Sequence, residues 1–452
     1  MYYRRKMAML ALAGIGFGKD IAAAEWELTG DLGQQLEYND NISLNTVRND
    51  SVAGYILMPS VQASRKTGVL DIAFDGQGDI RRYDDSLWDC DNYRLRLNNE
   101  YRTRRNEFGL RAEYNVSCSY AQQITDTGLL VPNSQSEEYL VAPQWNWQWT
   151  ARDQLVLNAL YSKTSYSNPS SGIVSDADNV FANFSGNDTY SASLGGNHEW
   201  TRRFTSTERI YYSNIQYTGL DSSIQNASAQ NESTQHLVGF ELGANYVINR
   251  EWAVNASGGP VWVDGTGQNL VGTLPAQDSS WTVGSNVNIN LSYNDKLTKF
   301  STGYSNSVDP SAIGQTLQNH SVFVKYSYQL TRHVLLDLSG DFINNQSING
   351  SQSTGSQFDR LYFTTAAGIA WEPTRNWRLK GSYIYSWQDY QQDLDVQNFQ
   401  NLQGFQNVGT SDSNAVMLFL NYSWDGIRNS TGKGTGKGTG KETGKEVNRN
   451  YE

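Results

Sequence analysis

The sequence predicts an all-β fold, a transmembrane antiparallel up-and-down β-barrel of about 18 strands with both termini in the periplasm. Three observations predict it. Eight short turns carrying Arg or Lys recur, each beginning 37 to 51 residues after the one before: Arg65-Lys66-Thr67-Gly68, Thr103-Arg104-Arg105-Asn106, Thr150-Ala151-Arg152-Asp153, Thr201-Arg202-Arg203, Asn249-Arg250-Glu251, Asn294-Asp295-Lys296, Thr331-Arg332-His333 and Pro373-Thr374-Arg375-Asn376. The segments between them alternate with period two, which no helix has: Trp281, Val283, Ser285, Val287, Ile289, Leu291 and Tyr293 form one face, and Thr282, Gly284, Asn286, Asn288, Asn290 and Ser292 the other. The chain also carries 13 Trp and 27 Tyr, the residues from which membrane-interface girdles are built.

The elements follow from these turns in order. The first strand sets Trp26, Leu28, Leu32, Leu36 and Tyr38 against Glu27, Thr29, Asp31, Gln35 and Glu37, and a polar loop over 39–50 closes it. Strands then flank each basic turn in pairs: 51–63 with 68–82, 91–102 with 107–120, 137–149 with 154–167, and 187–200 with 205–218. The second half repeats the pattern with 235–248 and 252–264, 280–293 and 297–307, 317–330 and 334–345, and 357–371 and 377–389. A last strand at 413–424 places Val416, Leu418, Leu420, Tyr422 and Trp424 on one face, like the aromatic-ended terminal strand that barrel assembly machinery recognises.

Short and long connections alternate without a break. The long ones, at 83–90, 121–136, 168–186, 219–234, 265–279, 308–316, 346–356 and 390–412, are rich in Asn, Ser, Gly, Asp and Gln. An even strand count with short periplasmic turns makes them the outward-facing loops. The indoles give an independent check on the register, because a girdle sits at a constant distance from the short turns. Trp149, Trp200, Trp252, Trp371 and Trp377 lie within a few residues of their turns, and Trp26 and Trp424 occupy the matching ends of the first and last strands. The basic turns would then meet lipid headgroups of the inner leaflet. The longest loop, 390–412, holds a near-repeated Phe-Gln-Asn unit and either folds inward as a constriction or stands exposed.

Composition excludes several classes. A mean hydropathy of −0.58 would suggest a soluble chain, but a barrel strand shows lipid only every second residue, and averaging erases that signal. Residues 1–24 read as a secretory signal peptide: a basic stretch from Tyr2 to Lys6, an apolar run from Met7 to Gly18 and small residues at Ala22-Ala23-Ala24. That run is too short to span a bilayer, and no later segment supplies 18 apolar residues. Residues 25–428 form the predicted barrel, and 429–452, with its repeated Thr-Gly-Lys, a low-complexity periplasmic tail expected to be disordered. The formal net charge is −11; the leader contributes +3 and the tail +2, leaving −16 for the body. An acidic body with scattered bases does not bind nucleic acid.

The two cysteines, Cys90 and Cys118, flank the turn at Arg104-Arg105. If Tyr101 pairs with Phe108, Cys118 falls opposite Asp91, one residue from Cys90. A disulfide at the outer end of that hairpin suits an oxidising periplasm. Strict alternation places the two on opposite faces, so the bond requires the strand to break register near Cys90; otherwise they are unpaired thiols on neighbouring strands.

No catalytic or cofactor signature appears. The histidines at 198, 236, 320 and 333 are dispersed at no ligand spacing, and there is no G-x-S-x-G, phosphate loop or Cys-x-x-Cys. A non-enzyme without metal or cofactor is the expectation, although a Ser-His or Asp-His site assembled from separate strands would escape such a search. The parity opposite the apolar face supplies the candidate lumen: Asp71, Asp75, Asp79 and Arg81 on the third strand, Arg94, Arg96, Asn98, Glu100 and Arg102 on the fourth, and Glu107, Arg111, Glu113 and Asn115 on the fifth. Opposite charges on adjacent strands can pair across the ladder and line a polar channel, or simply hold the barrel's shape. Elsewhere the inward face is neutral, with Gln144, Asn146 and Gln148 on the sixth strand and Asn286, Asn288 and Asn290 on the twelfth. Amides both donate and accept, which suits hydroxyl-rich ligands, and about 16 to 18 strands leave an aqueous passage.

The Tyr38-Asn39-Asp40-Asn41-Ile42 segment, together with Thr-Arg turns that lead into apolar strands (Thr331-Arg332-His333-Val334-Leu335 and Thr374-Arg375-Asn376-Trp377-Arg378-Leu379), resembles the β-barrel porin 2 family. That group includes outer-membrane barrels encoded with exopolysaccharide biosynthesis systems. The resemblance implies passage of a secreted polysaccharide across the bacterial outer membrane, without catalysis, alongside a periplasmic polysaccharide-export apparatus. The Thr-Gly-Lys tail is no part of that pattern. A general diffusion porin for small hydrophilic solutes is the alternative, with an outer-membrane enzyme or a surface adhesin behind it.

Overall fold

Period-two alternation obliges each segment to pair with its neighbours. In the computed structural model, which describes residues 25–44, 46, 51–118, 134–167, 186–218, 233–265, 281–311, 316–348, 359–391 and 409–429, the segments do so in chain order. The strands are β1 (Glu25–Asn39), β2 (Val52–Lys66), β3 (Leu70–Tyr83), β4 (Cys90–Arg102), β5 (Asn106–Cys118), β6 (Gln135–Gln148), β7 (Asp153–Ser167), β8 (Gly186–Thr201) and β9 (Phe204–Thr218). They continue with β10 (Ser233–Val247), β11 (Trp252–Gly265), β12 (Thr282–Asn294), β13 (Thr298–Pro310), β14 (Thr316–Thr331), β15 (Val334–Ser347), β16 (Asp359–Trp371), β17 (Trp377–Gln391) and β18 (Gly409–Asn429). All 18 belong to one sheet, and β1 pairs antiparallel with both β2 and β18, which closes the barrel and leaves no edge strand.

The short turns are built by side chains as well as backbone. Thr67 Oγ1 accepts from the Leu70 amide at 2.9 Å, Thr103 Oγ1 from Asn106 at 3.0 Å, and Asn249 Oδ1 from Trp252 at 2.8 Å. Each Thr or Asn therefore replaces a backbone acceptor at the reversal. Turns of this kind set the register of their hairpins, for example Tyr101↔Phe108 across the second.

The outward parity is apolar over most of the wall. Leu36, Tyr38, Val61, Phe108, Leu157, Ile210, Leu242, Ile289, Leu338 and Val416 are all exposed. A contiguous apolar surface of this kind on all sides of a closed barrel is stable only against lipid, and with the antiparallel topology it places the protein in the outer membrane. Among the girdle candidates, Trp149 and Trp200 are 65% and 57% exposed, Trp26, Trp371, Trp377 and Trp424 are exposed as well, and Trp252 leans on Tyr293. Trp145, Trp147 and Trp149 stack in sequence on the same face, with ring centroids 6.2 and 6.0 Å apart.

Two boundaries differ from expectation. Strand β18 runs five residues past Trp424, to Asn429, where Ile427 pairs with Leu28 and Asn429 with Trp26. A register shift between Leu28 and Gly30 makes this possible, and Gly426 takes it up with φ +67, where a Cβ would stand 1.4 Å from the Leu28 carbonyl oxygen. The segment 308–316, expected as a loop, is strand at both ends, since β13 extends to Pro310 and β14 starts at Thr316, while 312–315 lie outside the described residues. Most of loop 390–412, with its Phe-Gln-Asn unit, and both chain ends lie outside the described residues.

Burial is concentrated at the outer end of the barrel rather than in a central core. Ile42, Val52, Tyr83, Trp88, Cys90 and Cys118 form one cluster, beside the short 3-10 helix Ser86–Trp88. Ile215, Tyr217, Leu237, Val261, Val263 and Val308 form a second.

Candidate functional site: the lumen wall

Strands β3, β4 and β5 bring the charged candidates into transverse rows. Asp75 stands opposite Arg96, which stands opposite Glu113; Gln77 stands opposite Arg94, which stands opposite Asn115. Within these rows Arg96 Nε donates to Glu113 Oε2 at 3.0 Å, Arg111 Nε donates to the same oxygen at 3.1 Å, and Arg94 Nη2 donates to Gln77 Oε1 at 2.7 Å. Toward the periplasmic end Arg102 bonds Glu100 and reaches Asp71 at 3.5 Å. Arg81 lies 3.5 Å from Asp79 at the other end. The signs thus alternate within hydrogen-bonding distance, so the wall is locally compensated and polar without a strong field of one sign.

Beyond Glu107 the wall becomes neutral. Asn146 donates to Glu107 at 3.1 Å and accepts from Gln144 at 3.0 Å; Asn197 donates to Gln154 at 3.2 Å and Asn158 to Ser193 at 3.3 Å. Gln148 donates to the Thr150 carbonyl at the turn and belongs to the periplasmic rim. The amides of β6, β7 and β8 continue to an ion pair between Arg209 on β9 and Glu241 on β10, and together with Ser257 they line a cleft of about 390 Å³. Arg209 also stacks on Tyr211, 5.1 Å from its ring centroid. The Arg209–Glu241 pair was missed from sequence, although both residues lie on the inward parity of adjacent strands and that signal could have found them.

The twelfth-strand amides divide in role. Asn288 faces Ser257 and Ser305 across its two ladders, and Asn290 faces Asn255 and Gly303. Asn286 is committed to structure: its Nδ2 donates to the Tyr211 hydroxyl at 2.5 Å, and its Oδ1 accepts the Val308 amide at 3.2 Å.

Cys90 and Cys118 are joined as a disulfide with Cα atoms 6.1 Å apart. The β4–β5 ladder ends at Tyr93↔Val116, so alternation no longer constrains the two cysteines beyond it. There Asn92 Oδ1 takes the Cys118 amide at 2.8 Å in place of a strand partner.

The Tyr38–Ile42 segment turns inward over the barrel seam. Asp40 Oδ2 accepts from Asn414 at 2.8 Å, Asn41 Nδ2 donates to the Asp412 carbonyl at 2.8 Å, and the Leu44 carbonyl accepts from Gln388 and Ser411. Gln388 in turn accepts from the fully buried Arg360 at 2.9 Å. These bonds therefore tie the first outer loop to β16, β17 and β18.

The histidines anchor strands. His198 Nδ1 lies 2.6 Å from Asp153 Oδ1 and packs edge-on to Trp200, joining two neighbouring periplasmic turns. Ser206, opposite His198 in register, accepts from the Trp200 indole at 3.0 Å. His236 meets the Tyr212 hydroxyl at 2.9 Å and His320 the Tyr304 hydroxyl at 2.8 Å. Among the described residues no three His, Cys, Asp or Glu side chains are grouped to hold a metal.

No family model matches the chain, and no curated protein matches it. Similar solved structures include OpdL of Pseudomonas aeruginosa, at 12% identity over 88% of this chain and 98% of that chain with a TM-score of 0.42. The siderophore receptor PirA from Acinetobacter baumannii is 9% identical over 88% of this chain and 80% of its own, with a TM-score of 0.47. OccK2 (OpdF) of Pseudomonas aeruginosa in complex with glucuronate is 9% identical over 88% and 98%, with a TM-score of 0.44. Similarities of this size carry no argument about role, and the barrel assignment stands on this chain's own register.

Proposed function

We propose that this barrel is a non-catalytic outer-membrane channel for small hydrophilic solutes, which cross along the polar wall from β3 to β11. One observation carries the reading. The inward parity of these strands carries hydrogen-bonded, locally neutralised charges and amides, and two packed apolar clusters, one around Trp88 and one around Val261, lie toward the outer end of the same barrel. A polar passage with apolar side chains packed toward one end favours small solutes over bulky ones. The candidate lining runs through Asp71, Asp75, Asp79, Arg81, Arg94, Arg96, Arg102, Arg111 and Glu113 to Gln144 and Asn146. Expression of the full chain in a Gram-negative strain depleted of its own porins tests this: uptake of small sugars should rise, and unchanged uptake with the barrel present in the outer membrane would contradict it.

A second reading is export of a secreted exopolysaccharide, with a periplasmic export apparatus as partner. The observation favouring it is the uncharged band of Gln144, Asn146, Gln154, Asn158 and Asn197, which spans three strands and offers donors and acceptors to a hydroxyl-rich chain. Deleting the gene should then abolish surface polysaccharide, and an unchanged yield would exclude it.

A further inference from the structure

Three neighbouring hairpin turns on the periplasmic rim carry five arginines: Arg104 and Arg105 between β4 and β5, Arg152 between β6 and β7, and Arg202 and Arg203 between β8 and β9. All five are exposed, and among the described residues none of their side chains forms a hydrogen bond or ion pair with the protein. The nearby acids are engaged or turned away. Asp153 bonds Thr150 and His198, while Glu107 and Glu199 lie on the inward parity, Glu107 within 3.6 Å of Arg102. The turns at 294–297, 331–333 and 372–376, across the barrel, are less basic, with Lys296, Arg332 and Arg375 interspersed by Asp295 and Glu372.

The arginine turns are also fixed side by side. The Arg105 carbonyl accepts the Gln148 amide at 2.8 Å, the Arg152 carbonyl the Glu199 amide at 2.9 Å, and the Arg203 carbonyl the Val247 amide at 2.8 Å, so each turn is bonded to the hairpin that follows. Strand spacing of about 4.8 Å then sets successive turns about 10 Å apart along the rim. Beside them the outward face is aromatic: Tyr101, Phe108, Trp145, Trp147 and Trp149 form a continuous stack from β4 to the end of β6, with ring centroids 6.0 to 6.5 Å apart. The stack ends at the rim on Trp149, whose indole N–H has no partner among the described residues. A soluble anion has no use for an aromatic ribbon, and a zwitterionic lipid none for excess cations. The two features together fit an amphiphile of net negative charge.

We propose that this sector of the rim is a binding site for anionic phospholipid, with phosphates seated between Arg105 and Arg152 and between Arg152 and Arg203, and acyl chains along the Trp145–Trp149 ribbon. The lipid it selects carries phosphate without a compensating amine, as phosphatidylglycerol does. The site is independent of what crosses the lumen.

Native mass spectrometry of the full-length barrel in detergent, titrated with phosphatidylglycerol or with phosphatidylcholine of the same acyl chains, tests it. Heat-dependent gel mobility confirms that each variant is folded. The wild type should retain phosphatidylglycerol at about tenfold lower lipid concentration than phosphatidylcholine, and added salt should shrink that ratio. The triple variant Arg105→Gln, Arg152→Gln, Arg203→Gln should lose about fivefold or more of the preference. The triple variant Lys296→Gln, Arg332→Gln, Arg375→Gln should keep it. Equal retention of the two lipids by the wild type would overturn the proposal, as would equal losses in the two triple variants. Displacement of phosphatidylglycerol by an equal concentration of inorganic phosphate would overturn it too, by assigning the patch to a soluble anion.

Discussion

Leu44 and Gln388 are bonded across the barrel seam: the Gln388 amide donates to the Leu44 carbonyl at 2.7 Å, joining residues 344 apart in the chain. Leu44 lies in the left-handed region at φ 49 and is 1% exposed, and Gln388 is fully buried. The side-chain oxygen of Gln388 simultaneously takes the Arg360 guanidinium, 3.2 Å from Nε and 2.9 Å from Nη2. One amide thus serves the first outer loop and a buried cation together.

Gln388→Ala should therefore be costly. It removes one of the two donors to the Leu44 carbonyl and an acceptor from Arg360, and a hydrogen bond to a buried charged group contributes about 1.5–3 kcal/mol. The temperature at which the folded, detergent-resistant barrel unfolds should fall clearly. Ser411→Ala, which leaves the Gln388 bond in place, should lower it less.

The disulfide predicts a redox effect confined to one end. Cys90 and Cys118 are 28 residues apart in sequence, and a bridge closing a loop of that order typically adds about 2–4 kcal/mol. Reducing agent should lower the thermal stability of the wild type and leave the Cys90→Ser, Cys118→Ser double variant unaffected. Equal sensitivity of both proteins would contradict the assignment.

Two glycines should respond oppositely to the same methyl group. A Cβ on Gly259 would stand 1.8 Å from the Phe240 carbonyl oxygen, whereas one on Gly381 meets nothing within 4 Å. Gly259→Ala should destabilise the barrel by about 1–3 kcal/mol, and Gly381→Ala by no more than about 0.5 kcal/mol. Denaturant unfolding of the two variants in parallel makes the comparison.

Glu113 neutralises two arginines at once, Arg96 and Arg111. Glu113→Gln should make the β4–β5 wall more positive and shift ion selectivity toward anions, seen as a displaced reversal potential in a salt gradient. Screening at high salt should shrink that displacement.

Much of this architecture is legible in the sequence, and the limits are physical. The basic turns and the alternation around residues such as Ile289 and Asn290 identify the strand number, because each hairpin is local and its register is set by its own turn. The Arg96–Glu113 pairing follows from the same local logic. Closure of β1 on β18 and the Leu44–Gln388 bond join distant segments, and no short-range pattern encodes them. The place of Val308 in the buried Val261 cluster was equally hidden. Val308 shares the parity of the lipid-facing Tyr304, and alternation records which face a residue takes only while the ladder continues; here it stops at Asn306.

Whether the lumen conducts solute is measured most directly by liposome swelling with the purified full-length protein. Vesicles bearing the barrel should swell in isotonic monosaccharide, more slowly in disaccharide and least in larger oligosaccharide. Vesicles that stay as impermeable to the monosaccharide as protein-free ones, with the barrel folded and inserted, would contradict it.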